Sequence, residues 1–212
     1  MTAAPRRGAE RAALRGRPAA ANATTKRAAV LSAEQIAAML AATTSARDQA
    51  LVHLLTAGAM RIGEATLLTW SDVDLTTGRI AIPGGITKTG AGRSLTLPAP
   101  SIQAMTIWQQ ECPRSKTGWI FPGSPVRHPI STRQGQRIVA RLAAACGLQG
   151  VSSHSFRRSA LTAAHQAGLP LRAVAQISGH QSLAALERYL DAGAHEAQAE
   201  AARSLLLQPS GR

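Results

Sequence analysis

Between Trp70 and Pro98 the chain changes period, and it does so only once. The stretch "WSDVDLTTGRIAIPGGITKTGAGRSLTLP" sets short β-branched runs between Thr-Gly, Gly-Gly and Gly-Ala-Gly breaks, which predicts a small antiparallel sheet. Helical spacing rules on either side. "LSAEQIAAMLAAT" places Ser32 three residues before Gln35, a capping-box spacing, ahead of Ile36, Met39 and Leu40. "TSARDQALVHLLTAG" repeats the device with Ser45 and Asp48, runs Leu51, Leu54 and Leu55 along one face and closes at Gly58. A short helix over "IGEATLL" precedes the sheet; after it, helices are predicted over about residues 99–110, 131–146, 155–167, 170–177, 182–191 and 194–206, with Gly147 and Gly168 as stops. There is no βαβ alternation, internal repeat or phosphate-binding glycine loop. With aromatics at only 3%, the core must come mainly from Leu, Ile, Val and Ala. The expected fold is mainly α with a small antiparallel β-sheet.

Charge narrows the partners. Lys and Arg number 24 against 11 Asp and Glu, a formal +13, so a polyanion is expected. Residues 1–27 carry seven cations against Glu10, with two prolines and no amphipathic period; they read as a disordered basic arm, or equally as a solubilising tail. Single-strand binders stack bases on aromatic platforms, and this chain has two Phe, one Tyr and three Trp. Duplex DNA is the better fit. In the helix at 131–146, Arg133, Arg137 and Arg141 recur every four residues away from Ile138, Val139 and Leu142, a basic ridge read as a DNA contact. No apolar run is long enough for a membrane span, and the start lacks the apolar segment of a secretory signal, so a cytoplasmic, nucleoid-associated location is expected. Cys112 and Cys146 suggest neither a zinc site nor a disulfide framework.

Several segments carry residues suited to phosphate chemistry. "AGAMRIGEATLLTW" puts Arg61 at a helix start with Glu64 three residues on, where a carboxylate can hold a guanidinium in place. Alone, such a pair is more often an ordinary surface contact. "SSHSFRRSALTAAHQAG" offers Ser152 or Ser153 as a cap, then His154 and Arg157 one turn apart near a helix N-terminus. That position favours anions; Arg gives phosphate oxygens a planar fork, and His exchanges a proton near neutrality. "ISGHQS" sets His180 beside a glycine just before the helix bearing Tyr189, the only tyrosine.

Taken in order, these segments resemble the catalytic domain of the tyrosine recombinases, the phage integrase family. The likeness spans roughly residues 28–195. "AGAMRIGE" with Arg61 matches the family's "TGLRxxE"; Lys88 in "ITKTGAGRSLTLP" matches its hairpin lysine; "HSFR" gives His154 and Arg157; "SGH" gives His180; and "ALERYLDAG" supplies Tyr189. Each piece is common by chance, but six positions in order are not. The resemblance implies that Tyr189 attacks a DNA phosphodiester to form a 3′-phosphotyrosine, that Arg61, Arg157 and His180 meet the charge on phosphorus, and that Lys88 protonates the leaving 5′-oxygen. His154 would manage the tyrosyl proton and Glu64 would orient Arg61. Arg93 and Lys116 are sequence alternatives to Lys88. No metal or cofactor is implied; the partners are double-stranded DNA, further copies of the chain in a tetramer, and an accessory DNA-bending protein.

Departures from the family pattern are Met60 and Ser178 in place of leucines and Arg158 where a second histidine is frequent, the last altering packing or contributing a DNA contact. The chain resembles the short members that lack a separate helical core-binding domain. Residues 196–212, within "AHEAQAEAARSLLL" and beyond, are expected to form a helix and tail that dock on a neighbouring protomer. A silent DNA-binding regulator of the same fold, a type IB topoisomerase and a purely structural helical protein are the competing classes. A covalent DNA adduct, site-dependent exchange and DNA affinity respectively separate them from a recombinase.

Overall fold

The computed structural model describes residues 28–112, 118–125, 127–187 and 190. Helices α1 (Ala33–Ala41), α2 (Ala46–Ala57) and α3 (Ile62–Thr66) lead into strands β1 (Val73–Asp74), β2 (Arg79–Ile82) and β3 (Arg93–Thr96). Then come α4 (Ala99–Glu111), α5 (Thr132–Ala145), α6 (Ser153–Gln166) and α7 (Leu171–Ser178), with residues 183–187 and 190 also helical. The strands form one antiparallel sheet in the order β1-β2-β3, as the single change of period predicts. The basic segment 1–27, Lys116, Tyr189 and the C-terminal segment 196–212 lie outside the described residues.

Local signals fix the helix starts. Ser32 Oγ accepts the Gln35 N–H at 3.2 Å while Gln35 Oε1 accepts the Ser32 N–H at 3.0 Å, and Ser45 Oγ accepts the Asp48 N–H at 3.2 Å. Such caps contribute about 1 kcal/mol each. Helix α6 starts two residues earlier than its apolar spacing predicts, because Ser152 is the N-cap and Ser155 Oγ takes the Ser152 N–H at 3.1 Å. That places His154 in the first turn. Helix α2 also departs from the one-faced reading: Ala50, Leu51, Val52, Leu54 and Leu55 are all buried. It runs through the centre, between α4 and α6, so it needs apolar residues on several sides.

In the sheet, Ile80 faces Leu95 and Ile82 faces Arg93 across the β2–β3 pair. Two apolar clusters hold the molecule. The larger gathers α1 to α5, the sheet and Phe156 around residues such as Leu54, Ile80, Met105 and Phe121. The smaller contains Ala59, Leu161, Val174, Ala175, Leu186 and Leu190, and it ties residues 186 and 190 to α6 and α7. Among the described residues, no helix is long and apolar enough to cross a membrane.

Candidate active site

Helix α2 ends at Gly58, where a Cβ would lie 2.6 Å from the Leu54 carbonyl oxygen, so the chain can turn there only without a side chain. Ala59 then takes a left-handed φ of 44°, which is strained for an L-residue and delivers Arg61 to the first position before α3. The Ala59 carbonyl accepts a hydrogen bond from Arg157 Nη1 at 2.6 Å. Arg157 is 2% exposed, and its Nη2 donates to the Ser178 carbonyl at the end of α7. One guanidinium therefore joins the Arg61 turn, α6 and the segment before His180.

Glu64 is the carboxylate at the centre of this arrangement. It accepts the Arg61 N–H at 3.1 Å, Arg61 Nη1 at 3.0 Å, and Arg93 Nη2 and Nη1 at 2.7 and 3.3 Å. Burial alone would raise its pKa; the hydrogen bonds and charge of Arg93, with those of Arg61, outweigh burial and hold it below the usual glutamate value. Arg93 Nε also donates to the Ile177 carbonyl at 3.1 Å, tying β3 to α7.

His180 follows Gly179, whose φ of 66° closes α7 in the left-handed conformation. The ring is half-buried, and its Nδ1 lies 2.6 Å from Ser178 Oγ. Burial first, then the charges of Arg157, Arg61 and Arg93, push its pKa down to about 4. His154 stands at the surface of the first turn of α6; desolvation by its neighbours, then Arg157 and Arg61, lower its pKa as well. Both imidazoles are thus neutral near pH 7 beside permanent cations.

Lys88 is exposed in the loop between β2 and β3, which Thr87 Oγ1 braces within 3.0 Å of the Gly84 and Ala91 carbonyls. Its neighbour Thr89 lines a cavity of about 300 Å³ together with Arg93, Gln176 and His180. The loop therefore borders the same recess as His180. The charges of Arg157 and Arg61 act on both His154 and His180, and Arg61 is paired with Glu64. Arg133, Arg137 and Arg141 of the ridge are all exposed, and Arg141 also pairs with buried Asp48. The DNA-contact expectation for Arg158 is corrected: the residue is 6% exposed, and Nη1 donates to the Ala28 carbonyl at 2.7 Å, so its guanidinium anchors the chain's first described residue.

Arg93 was legible only as a stand-in for Lys88. Its alternation with Leu95 and Leu97 puts a cation on the core-facing side of β3, and a charge at such a position needs a partner. Ser178 gave no signal beyond replacing an apolar residue.

The sequence matches the pattern of the family described as Phage integrase family over residues 29–196. It is 30% identical over 152 residues to a protein named tyrosine recombinase XerC of Syntrophus aciditrophicus, covering 68% of this chain and 48% of that protein. A XerC of Xanthomonas campestris is 30% identical over 144 residues, with 68% and 44% covered. The chain therefore spans about half the length of these curated relatives. In fold it is similar to the XerA recombinase crystal structure, with a TM-score of 0.70, 23% identity and coverage of 86% of this chain and 66% of that one. It is also similar to the XerH site-specific recombinase in a post-cleavage complex with palindromic difH, with a TM-score of 0.69, 23% identity and coverage of 83% and 53%. A family match that runs from residue 29 to residue 196 settles the kinship: the chain belongs to the phage integrase family.

Proposed function

We propose that this chain carries the catalytic site of a site-specific DNA recombinase that works through a covalent phosphotyrosine. Tyr189 Oη attacks a phosphodiester of duplex DNA; the new P–O bond to tyrosine forms as the bond to the 5′-oxygen breaks. His154, whose burial and neighbouring arginines favour the neutral ring, has the unprotonated nitrogen needed to accept the phenolic proton. Lys88, on the loop bordering the recess, returns a proton to the leaving 5′-oxygen. A second 5′-hydroxyl then reverses the exchange and joins new strands, so the bond energy is conserved. Arg61, Arg157 and His180 meet the charge on the phosphorane, and Glu64 keeps Arg61 in place.

The observation that carries this reading is the meeting of Arg61, Arg157 and His180 from three distant segments: the charges of both arginines act on the His180 ring, and Arg157 donates to the Ala59 carbonyl two residues before Arg61. Exposed Arg133 and Arg137 would track the DNA backbone, and binding should weaken steeply with salt. On DNA the chain would act as a tetramer in the cytoplasm, alongside a DNA-bending partner. A nicked suicide duplex traps the intermediate: wild type should form a protein–DNA adduct, while Tyr189→Phe should bind equally and form none. A wild-type chain that binds duplex DNA but never becomes attached to it would instead be a regulator, and one that relaxes any plasmid without a preferred site would be a topoisomerase.

A further inference from the structure

Ser178 is fully buried, stands where the resembled box carries leucine, and is used by no step above. Its Oγ lies 2.6 Å from His180 Nδ1 and 3.1 Å from the Ala175 carbonyl. A hydroxyl has one proton to donate. The Ala175 carbonyl, the other acceptor within reach of the hydroxyl, already takes the His180 N–H at 3.1 Å and shares the Gly179 N–H with the Gln176 carbonyl, so it competes for the Ser178 proton at the longer distance. The ring nitrogen is the nearer acceptor. We infer that Ser178 is a positioning residue whose hydroxyl donates to His180 Nδ1, holding the imidazole in the tautomer that carries its proton on Nε2. His180 then meets DNA as an uncharged N–H donor. What the donor faces rests on the recombinase reading; the hydrogen bond itself does not.

The surroundings explain why the tautomer matters. Arg157 from α6, Arg61 before α3 and Arg93 from β3 disfavour a charged ring, and the nearby carboxylate of Glu64 is committed to Arg61 and Arg93. His154, in the first turn of α6, feels the same Arg157 and Arg61. A neutral imidazole protonated on Nδ1 would turn a lone pair toward a phosphoryl oxygen, which repels it. The same ring protonated on Nε2 donates a hydrogen bond. Ser178 also offers its carbonyl to Arg157 Nη2, so one buried residue orients a guanidinium through its backbone and an imidazole through its side chain. Leucine could do only the first.

Two-bond ¹H–¹⁵N correlation spectra of the full chain at pH 7 test this directly. His180 should show an unprotonated Nδ1 and a protonated Nε2. Ser178→Ala should mix the tautomers and raise the ring pKa, since the lost hydrogen bond favoured the neutral form. Adduct formation should fall about tenfold, the worth of one modest hydrogen bond, with duplex binding unchanged. A wild-type ring protonated on Nδ1 would overturn the inference, as would an alanine variant with the same tautomer and the same adduct rate. If the variant does not fold, the wild-type spectrum decides alone. A wild type that forms no adduct would defeat the recombinase reading while leaving the tautomer result standing.

Discussion

Glu64 has almost no contact with water, yet it stays ionised because two arginines reach it from different parts of the chain. Taking a carboxylate out of water is costly, and here four N–H donors compensate. Removing the charge should leave Arg93 buried without a counter-ion. Glu64→Gln is expected to lower stability by about 3 kcal/mol, measured by urea unfolding. The pH dependence follows from the lowered pKa: between the folded value and the unfolded value of about 4.3, the unfolded chain binds more protons. The stabilisation is therefore complete above that unfolded value and is lost as pH falls through the folded one. The variant should show a shallower acid slope than wild type. The Arg61–Glu64 half of this cluster was legible from an i, i+3 spacing. The Arg93 half was not, because a contact across 29 positions depends on how the sheet lies against α3.

At the scale of elements, the loop between β2 and β3 decides where Lys88 can stand. A Cβ on Gly84 would lie 2.1 Å from the Gly90 carbonyl oxygen, a contact between two backbone segments that neither can relieve by rotating a side chain. Gly84→Ala should open the loop, at a cost on the order of 1–3 kcal/mol. If Lys88 is the general acid as proposed, cleavage should slow as it is displaced, and Lys88→Ala should slow it by about 10²- to 10⁴-fold, the usual reach of general acid catalysis. A substrate with sulfur in place of the bridging 5′-oxygen has a leaving group that needs no proton. It should restore the rate of both variants; if Lys88→Ala stayed slow on that substrate, Lys88 would not be the acid. The glycines marked the turn in the sequence, but the close approach of Gly84 to Gly90 belongs to the folded loop.

At the scale of the whole molecule, the apolar interior of the described residues divides into a large and a small cluster. Leu54 lies in the large cluster, whereas Leu186 and Leu190 lie in the small one with Leu161 and Val174. Leu→Ala in a packed interior costs about 2–5 kcal/mol. Leu54→Ala should lower the melting temperature of the whole protein. Leu186→Ala should act mainly on the segment around residue 186: faster amide exchange there and a large loss of adduct, with a smaller shift in melting temperature. Equal shifts from the two variants, with adduct formation intact in Leu186→Ala, would show that the small cluster does not govern the reaction.

Local signals determined the elements themselves. Serine caps, apolar periods and glycine stops act within a few residues, so α1, α2, α5 and the sheet could be placed from sequence. The order of Arg61, His154, Arg157 and His180 pointed to a family for the same reason, since each motif is short. Tertiary structure alone decided the partnerships. Arg93 turned from a substitute acid into a clamp on Glu64, Arg158 from a DNA contact into an anchor for Ala28, and Ser178 from a packing change into a neighbour of His180. A hydrogen bond is directional and reaches about 3 Å, so which groups it joins is fixed only when distant segments have been packed into register.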